Sequence, residues 1–408
     1  MVLDGYPPEA HGGAERLVHG WSRELAARGH EVWVLAGRVG APAGPDEERM
    51  GYRVRWWSSR RRTFWDGYLS ATRSCGAAVR RLADERPPDI LHLHQGLSAS
   101  AALGAGVSAP AVSTFHAPWR TEFAEDARAR EATVPAPLRP LYRAAARLKA
   151  VRIHQMEKTA LARSRAVAVV SAYSRRLLAE AHGIEAGEIR ILPAGADLER
   201  FFPVPEEVRA RLRRGLGFEG PTLLSVRRLV RRMGLDLLIR AMPAVLARLP
   251  GARLVLAGAG PERGPLERLA ADLGVGGAVR FAGFVPEEDL PGYYRAADLF
   301  VLPTRSLEGY GVATLEALAS GTPVVGTSGG ATPELLGPLE EGLICPAASP
   351  EAIAGAILRW LSDPQALAAL RPRCRAHVER NYGWEEGGRA LEDFYRGVIA
   401  GVSRPAAG

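Results

Sequence analysis

Residues 308–325 read Glu-Gly-Tyr-Gly-Val-Ala-Thr-Leu-Glu-Ala-Leu-Ala-Ser-Gly-Thr-Pro-Val-Val. A strand-like run, Leu299 to Pro303, precedes them, and they pass through a glycine turn into a helical stretch and then a second apolar strand. Gly309 and Gly311 let the backbone turn tightly and lie close to a ligand. The amides near Val312 open a helix, and their unpaired N–H groups, with the helix dipole behind them, favour a phosphate. Glu308 stands before the turn, and Glu316 is expected in the first turn of the helix, where a carboxylate accepts hydrogen bonds from vicinal hydroxyls. Because an acidic first turn is also a common stabilising device, neither glutamate alone decides the reading. The whole string suits a ligand that carries a phosphate and a polyol side by side.

Outward from this stretch, apolar strand-like runs alternate with amphipathic helical ones along the whole chain, which predicts parallel sheets in an α/β architecture. In the first half the strands are expected near Val32–Ala36, Ile90–His94, Ala111–Phe115 and Ala166–Ser171. In the second half they are expected near Thr222–Val226, Arg253–Ala257, Val279–Ala282, Asp298–Leu302 and Pro323–Gly326. Met1 to Leu3 read as the stump of a first strand, so either translation starts further upstream or this strand is short. At 408 residues the chain is too long for one ordinary core and suits two doubly wound domains, residues 1–198 and 199–383. The Pro- and Gly-rich segment Pro193 to Pro205 is the expected linker, and the last helix, residues 384–401, is expected to pack back onto the first domain.

Composition narrows the classes. A hydrophobic content of 47% with 24% charged residues is globular. The uncharged run Gly96 to Phe115 is dominated by Ser, Gly, Ala and Pro and falls short of a membrane span. No signal peptide is visible, and Cys75, Cys345 and Cys374 form neither a disulfide framework nor a metal-ligand spacing, so a cytoplasmic location is expected. The net charge of +8 comes almost wholly from arginine, since Lys149 and Lys158 are the only lysines. Such a balance favours anionic headgroups or phosphorylated substrates, although Ala-, Gly-, Pro- and Arg-rich genomic composition also contributes.

Ligands of doubly wound sheets lie beyond the carboxyl ends of the strands. At those points stand His11-Gly12-Gly13, leading into a helix with the apolar face Leu17, Val18, Trp21 and Leu25, and His116, directly after the strand Ala111–Phe115. The glycines are equally an ordinary turn, and a lone histidine is more often structural. His92 and His94 share one face of a strand, yet no third ligand is in view, so a metal pair is not expected. Arg227, Arg228, Arg231 and Arg232 follow the strand Thr222–Val226 and form a cationic cradle for a diphosphate or a solvated basic loop. Gly258-Ala-Gly-Pro-Glu-Arg-Gly imitates a dinucleotide fingerprint, but its spacing is off by one and Pro261 interrupts it. No Asp-x-Asp pair occurs, so positive side chains and helix dipoles must take the place of a metal-bridged diphosphate.

Together these residues resemble the family-4 retaining glycosyltransferases of the GT-B fold, over nearly the whole chain. Glu308 and Glu316, with seven residues between them, are similar to the two-glutamate motif of the family. Gly12-Gly13 resembles its amino-terminal glycine loop, His116 the histidine beside the transferred sugar, and Arg228 the diphosphate-binding arginine. Phe281-Ala-Gly-Phe284-Val285 resembles the loop that meets the nucleotide base, and Tyr382-Gly-Trp384 the lead into the last helix.

The resemblance implies two Rossmann-like domains facing a central cleft. It implies a metal-independent, retaining transfer of a sugar from a UDP- or GDP-sugar to a hydroxyl of a glycan, lipid-linked or small-molecule acceptor, as in bacterial polysaccharide biosynthesis. His116, Glu308 and Arg228 would be catalytic. Gly12, Gly13, Arg228, Phe284, Val285, Glu308, Gly309, Gly311, Val312 and Glu316 would bind the donor. No cofactor and no nucleic-acid partner are implied. A sugar-nucleotide epimerase or a non-catalytic nucleotide-sugar binder on the same fold is the alternative. A pyridoxal-dependent phosphorylase would need a lysine in the second half, where there is none. Arg60 to Trp65 and Pro140 to Arg152 mix basic and aromatic residues, which suits peripheral contact with an anionic membrane at its inner face and equally a solvated face.

Two departures stand out. Where the family usually places Gly-Arg-Leu followed by a lysine five residues after the arginine, this chain has Arg227-Arg228-Leu229 and Met233. The asparagine of the usual Pro-Asn-Gly is Ala194. Either Arg227, Arg231 or Arg232 replaces the missing cation, or Arg228 acts alone. On the sequence alone, Met233→Lys is expected to be tolerated or activating in a transfer assay, and a strong loss would show that this loop packs differently.

Overall fold

The computed structural model describes residues 1–7, 12–60, 64–131 and 134–401. His11 and Arg61 to Thr63 therefore lie outside the described residues. The chain forms two compact units, one made of Met1–Ala194 with the segment that starts at Trp384, the other of Gly195–Gly383.

In the first unit seven strands follow in order: β1 (Trp33–Val39), β2 (Glu47–Arg49), β3 (Tyr52–Ser59), β4 (Leu91–Leu93), β5 (Ala111–Thr114), β6 (Ala166–Val169) and β7 (Ile189–Ile191). They are ordered β2-β3-β1 and β4-β5-β6-β7. The stub at the amino terminus joins the two groups, because Val2 bridges Leu35 of β1 and Leu93 of β4, both in parallel. Its brevity does not remove it from the centre, since Val2 and Leu3 are fully buried. All the pairings are parallel except β2 with β3. Neither β2, β3 nor β7 was expected from the sequence. In β3 the charged Arg53 and Arg55 alternate with buried Val54 and Trp56, the period-two pattern of a half-covered strand.

The last helix, Trp384–Ile399, belongs to this unit. Its indole lies where a side chain on Gly20 would stand, 2.2 Å from an added Cβ. Trp21 donates to the Pro193 carbonyl at 3.2 Å, and Arg28 donates to the Glu385 carbonyl at 3.0 Å. No helix among the described residues is long and apolar enough to cross a membrane.

The second unit has one parallel sheet of β8 (Thr222–Val226), β9 (Arg253–Ala257), β10 (Val279–Gly283), β11 (Leu299–Leu302), β12 (Val324–Thr327) and β13 (Ile344–Cys345). The order is β10-β9-β8-β11-β12-β13. β13 was not expected, being only two residues long. The chain runs outward from β8 through β9 to β10, then crosses back to place β11 on the other flank of β8. That reversal opens a crevice at the carboxyl ends of β8 and β11, the topological switch point where doubly wound sheets take ligands.

Close backbone packing shapes that crevice. Gly234 has φ of 68°, and a Cβ added to it would stand 1.9 Å from the Pro303 carbonyl oxygen. Only glycine permits both the left-handed conformation and the approach. Gly234→Ala is expected to destabilise this unit by about 3 kcal/mol or more, read by urea unfolding.

Candidate functional site

At the switch point of the second unit, Arg227 leaves β8 and Thr304 and Glu308 follow β11. Arg227 Nη1 donates to Thr304 Oγ1 at 3.0 Å, and Nη2 donates to both Glu308 Oε2 and the Met233 sulfur. The Thr304 hydroxyl donates to Glu308 Oε2 at 3.4 Å. The ion pair is almost sequestered, with side-chain exposures of 7% for Arg227 and 13% for Glu308. Of the four arginines that follow β8, Arg228 and Arg231 are exposed, and Arg232 donates to the Leu307 carbonyl at 3.3 Å. Arg227 is thus the one whose side chain enters the crevice beside Glu308.

Leu307, a non-glycine residue with φ of 61°, turns the chain sharply just before Glu308. The Ala331 amide then donates to the Glu308 carbonyl at 2.8 Å, fixing the backbone while the carboxylate faces Arg227. Gly311 caps the next helix with φ of 91°, and the helix runs over Val312–Ala319. The helix starts at Val312, as expected, but Glu316 is its fifth residue and so opens the second turn rather than falling in the first, as the sequence had suggested. It is 4% exposed, and Oε2 accepts the Tyr294 hydroxyl at 2.9 Å. Tyr294 is fully buried and carried no sequence signal. Gly309 lies in the turn between the two glutamates. Phe284 is exposed and Val285 buried, just past β10. Gly258, in the apparent dinucleotide fingerprint, has φ of 142° and packs its backbone against the Arg227 carbonyl, so it shapes a tight turn.

The first unit has its own set of polar residues at strand ends. Gly12 is the N-cap of the helix Gly13–Ala27, extended at φ of −84°. Behind it Gln95 donates to Glu15 at 3.0 Å and accepts from the Asp4 amide, while the Ser98 amide donates to Asp4 at 2.8 Å. Burial pushes the Asp4 carboxyl up to about 6. His116 follows β5, and its Nε2 lies 3.3 Å from His94 Nδ1. Because β4 and β5 are neighbours, the His116 imidazole lies alongside His94, but His92, His94 and His116 are not a group that could hold an ion. His92 is committed elsewhere, to the Tyr395 hydroxyl at 2.5 Å and Thr114 at 2.7 Å. Burial holds His92 and His94 well below the usual imidazole range and lowers His116 to about 4, so all are neutral at pH 7.

Among the described residues, one group has ligand atoms near enough to hold an ion: His154, Glu157 and His182, within 4.8 Å of one another. Glu157 is already engaged, accepting the Trp119 amide at 2.8 Å and the Arg120 amide at 3.5 Å. It caps the helix Trp119–Glu131, and Arg120 and Lys158 add positive charge around His154 that opposes a cation.

Residues 209–377 match the family described as glycosyl transferases group 1, and residues 11–200 match glycosyltransferase family 4. A D-inositol 3-phosphate glycosyltransferase from Acidothermus cellulolyticus is 33% identical over 340 residues, covering 79% of this chain and 71% of the relative. A GDP-mannose-dependent alpha-(1-6)-phosphatidylinositol monomannoside mannosyltransferase from Mycobacterium tuberculosis is 37% identical over 240 residues, 57% of this chain and 61% of the relative's length. Sucrose-phosphate synthase from Thermosynechococcus elongatus superposes with a TM-score of 0.77 at 25% identity, over 98% of this chain and 96% of that one. Anabaena HepE, in complex with UDP and glucose, does so with 0.71 at 18% identity, over 97% and 98%. The parallel, doubly wound sheets and these neighbours define the GT-B class of fold. Within it, the chain belongs to the family-4, group 1 glycosyltransferases.

The neutral His116 makes a stability prediction. Its folded pKa lies below the ordinary 6.5, so the stability it confers is complete above pH 6.5 and is lost as pH falls toward 4. His116→Asn is expected to remove about 3 kcal/mol of that acid-induced loss, measured as the difference in urea unfolding between pH 7 and pH 4.

Proposed function

We propose that this protein transfers a sugar from a nucleoside-diphosphate donor to an acceptor hydroxyl, with retention at the anomeric carbon and without a metal. The observation that carries the proposal is the switch point of the second unit. There, two glutamates flank a left-handed glycine cap and a helix N-terminus, with arginine on the opposing loop. In this reading Glu316 takes the ribose hydroxyls and Glu308 those of the sugar. Phe284 and Val285 meet the base. The amides at Gly311 and Val312, together with Arg228, face the diphosphate. Charge that develops on the leaving diphosphate is then met by fixed dipoles and cations, the electrostatic stabilisation that matters most in such a departure. In the first unit, the amides of Gly12 and Gly13 and the neutral imidazole of His116 offer hydrogen bonds to substrate hydroxyls and phosphate oxygens.

A GDP- or UDP-sugar is the proposed donor class, supported by the GDP-mannose dependence named for the mycobacterial relative and the UDP bound to HepE. A lipid-linked polyol is the proposed acceptor. Its support is the helix Arg139–Arg163, where Leu141, Leu148 and Val151 are 71%, 60% and 51% exposed, beside Arg143 and Arg147. Exposed leucines among arginines suit shallow contact with an anionic membrane.

The test is a thermal-shift panel of UDP-, GDP- and ADP-sugars, followed by transfer with the donor that binds and determination of the product's anomeric configuration. One donor is expected to raise the melting temperature and to give a retained product. Arg228→Ala is expected to abolish transfer and leave the unfolding midpoint unchanged. Near-normal turnover by that variant, an inverted product, or an isomerised donor formed without acceptor would sink the proposal.

A further inference from the structure

Arg227 is a cation held almost out of water, placed by β8 at the switch point and aimed at residues that follow β11. Its backbone is pinned. The Arg227 amide donates to the Ala257 carbonyl at 2.9 Å, and Gly258 packs against the Arg227 carbonyl so closely that no Cβ fits. The side chain therefore enters the crevice from a fixed base. What it meets there is uneven in quality. Thr304 and Glu308 are good acceptors, but Nη2 also points at the Met233 sulfur, 2.7 Å away. A thioether is a weak acceptor, so that donor is held cheaply and a phosphate oxygen would displace it.

We infer that Arg227 is the second diphosphate-binding cation of this chain. It bridges Glu308 to the leaving phosphate, and its Met233-facing N–H groups pass to the phosphate when the donor enters. The inference rests on the donor reading proposed above. Three features support it. No lysine exists in this half of the chain to do the same work. Arg231 is exposed and Arg232 is turned to the Leu307 carbonyl, so neither competes for the place. The Glu308 partner explains how a buried guanidinium is tolerated while the site is empty, since an unpaired charge there would be costly. With the donor bound, one planar fork holds the sugar-binding carboxylate and the phosphate together, which a point-charge ammonium cannot do as well.

The arrangement reverses the expectation for Met233→Lys drawn from the sequence. A lysine at 233 would bring its ammonium against the Arg227 guanidinium, a like-charge contact in a dry place. The same substitution should help only once Arg227 is gone. Binding of GDP, GMP, UDP and UMP is therefore to be measured by calorimetry for the unaltered protein and for Arg227→Ala, Arg227→Lys, Met233→Lys and the double variant Arg227→Ala/Met233→Lys. Urea unfolding of each serves as the check on folding.

For the diphosphate that binds, Arg227→Ala is expected to weaken affinity roughly 10- to 100-fold, while the matching monophosphate changes by less than about 2-fold. Met233→Lys alone is expected to weaken diphosphate binding, and the double variant to recover most of what Arg227→Ala lost. Equal weakening of mono- and diphosphate, an unaffected diphosphate, or a Met233→Lys effect of the same sign in both backgrounds overturns the assignment of Arg227 and leaves the donor reading standing. If the unaltered protein binds neither diphosphate, the donor reading falls and the assignment falls with it. Should Arg227→Ala fail to fold, Arg227→Lys carries the same comparison, since it keeps the charge but loses the fork.

Discussion

The site in the second unit depends on a backbone constraint: the loops that leave the parallel strands lie against one another more closely than any side chain would allow. Gly234 abuts the Pro303 carbonyl, Gly258 that of Arg227, and Gly330 that of Glu308, each with less than 2.5 Å left for an added Cβ. With the loops locked in this way, two residues distant in sequence become a rigid pair. Arg227 and Glu308 meet because their backbones are fixed, and neither long side chain has to be ordered at a large entropic cost.

A buried ion pair usually gives little stability, because desolvation offsets the Coulomb attraction. Its presence at a switch point therefore points away from folding and toward a ligand. The adjoining strained Leu307, in the left-handed region without being glycine, fits the same pattern, since residues held in unfavourable conformations collect where a carboxylate or amide must be aimed. In the first unit, burial shifts the titrations of Asp4 and His116 in the directions that remove charge. That unit presents neutral imidazole and backbone amides. The second presents arginine and glutamate side chains.

Much of this was legible in the chain. The alternation of strands and helices predicted the α/β class, and most of the apolar strands were placed within a residue or two because they are continuous apolar runs, although β1 runs three residues further than expected, to Val39. Glu308 and Glu316 could be named from their spacing about Gly309 and Gly311. The short or half-polar strands were missed: β3 hides its apolar face behind Arg53 and Arg55, and β13 is too short to show a period. Tyr294 and Thr304 were missed because a single hydroxyl in an apolar run has no pattern. The arginines were found as a group, but nothing in the sequence showed that Arg227 would pair with Glu308.

The sequence by itself determined the family, the doubly wound class and the pair of glutamates about a glycine turn, because these follow from local periodicity and fixed spacing. Only the tertiary structure decided which of two adjacent arginines pairs with Glu308. Arg227 does so because the chain leaving β8 lies beside the chain leaving β11, while Arg228 stays exposed. That placement also put a guanidinium beside the Met233 sulfur, so a position that reads as a lost lysine is packed against an arginine.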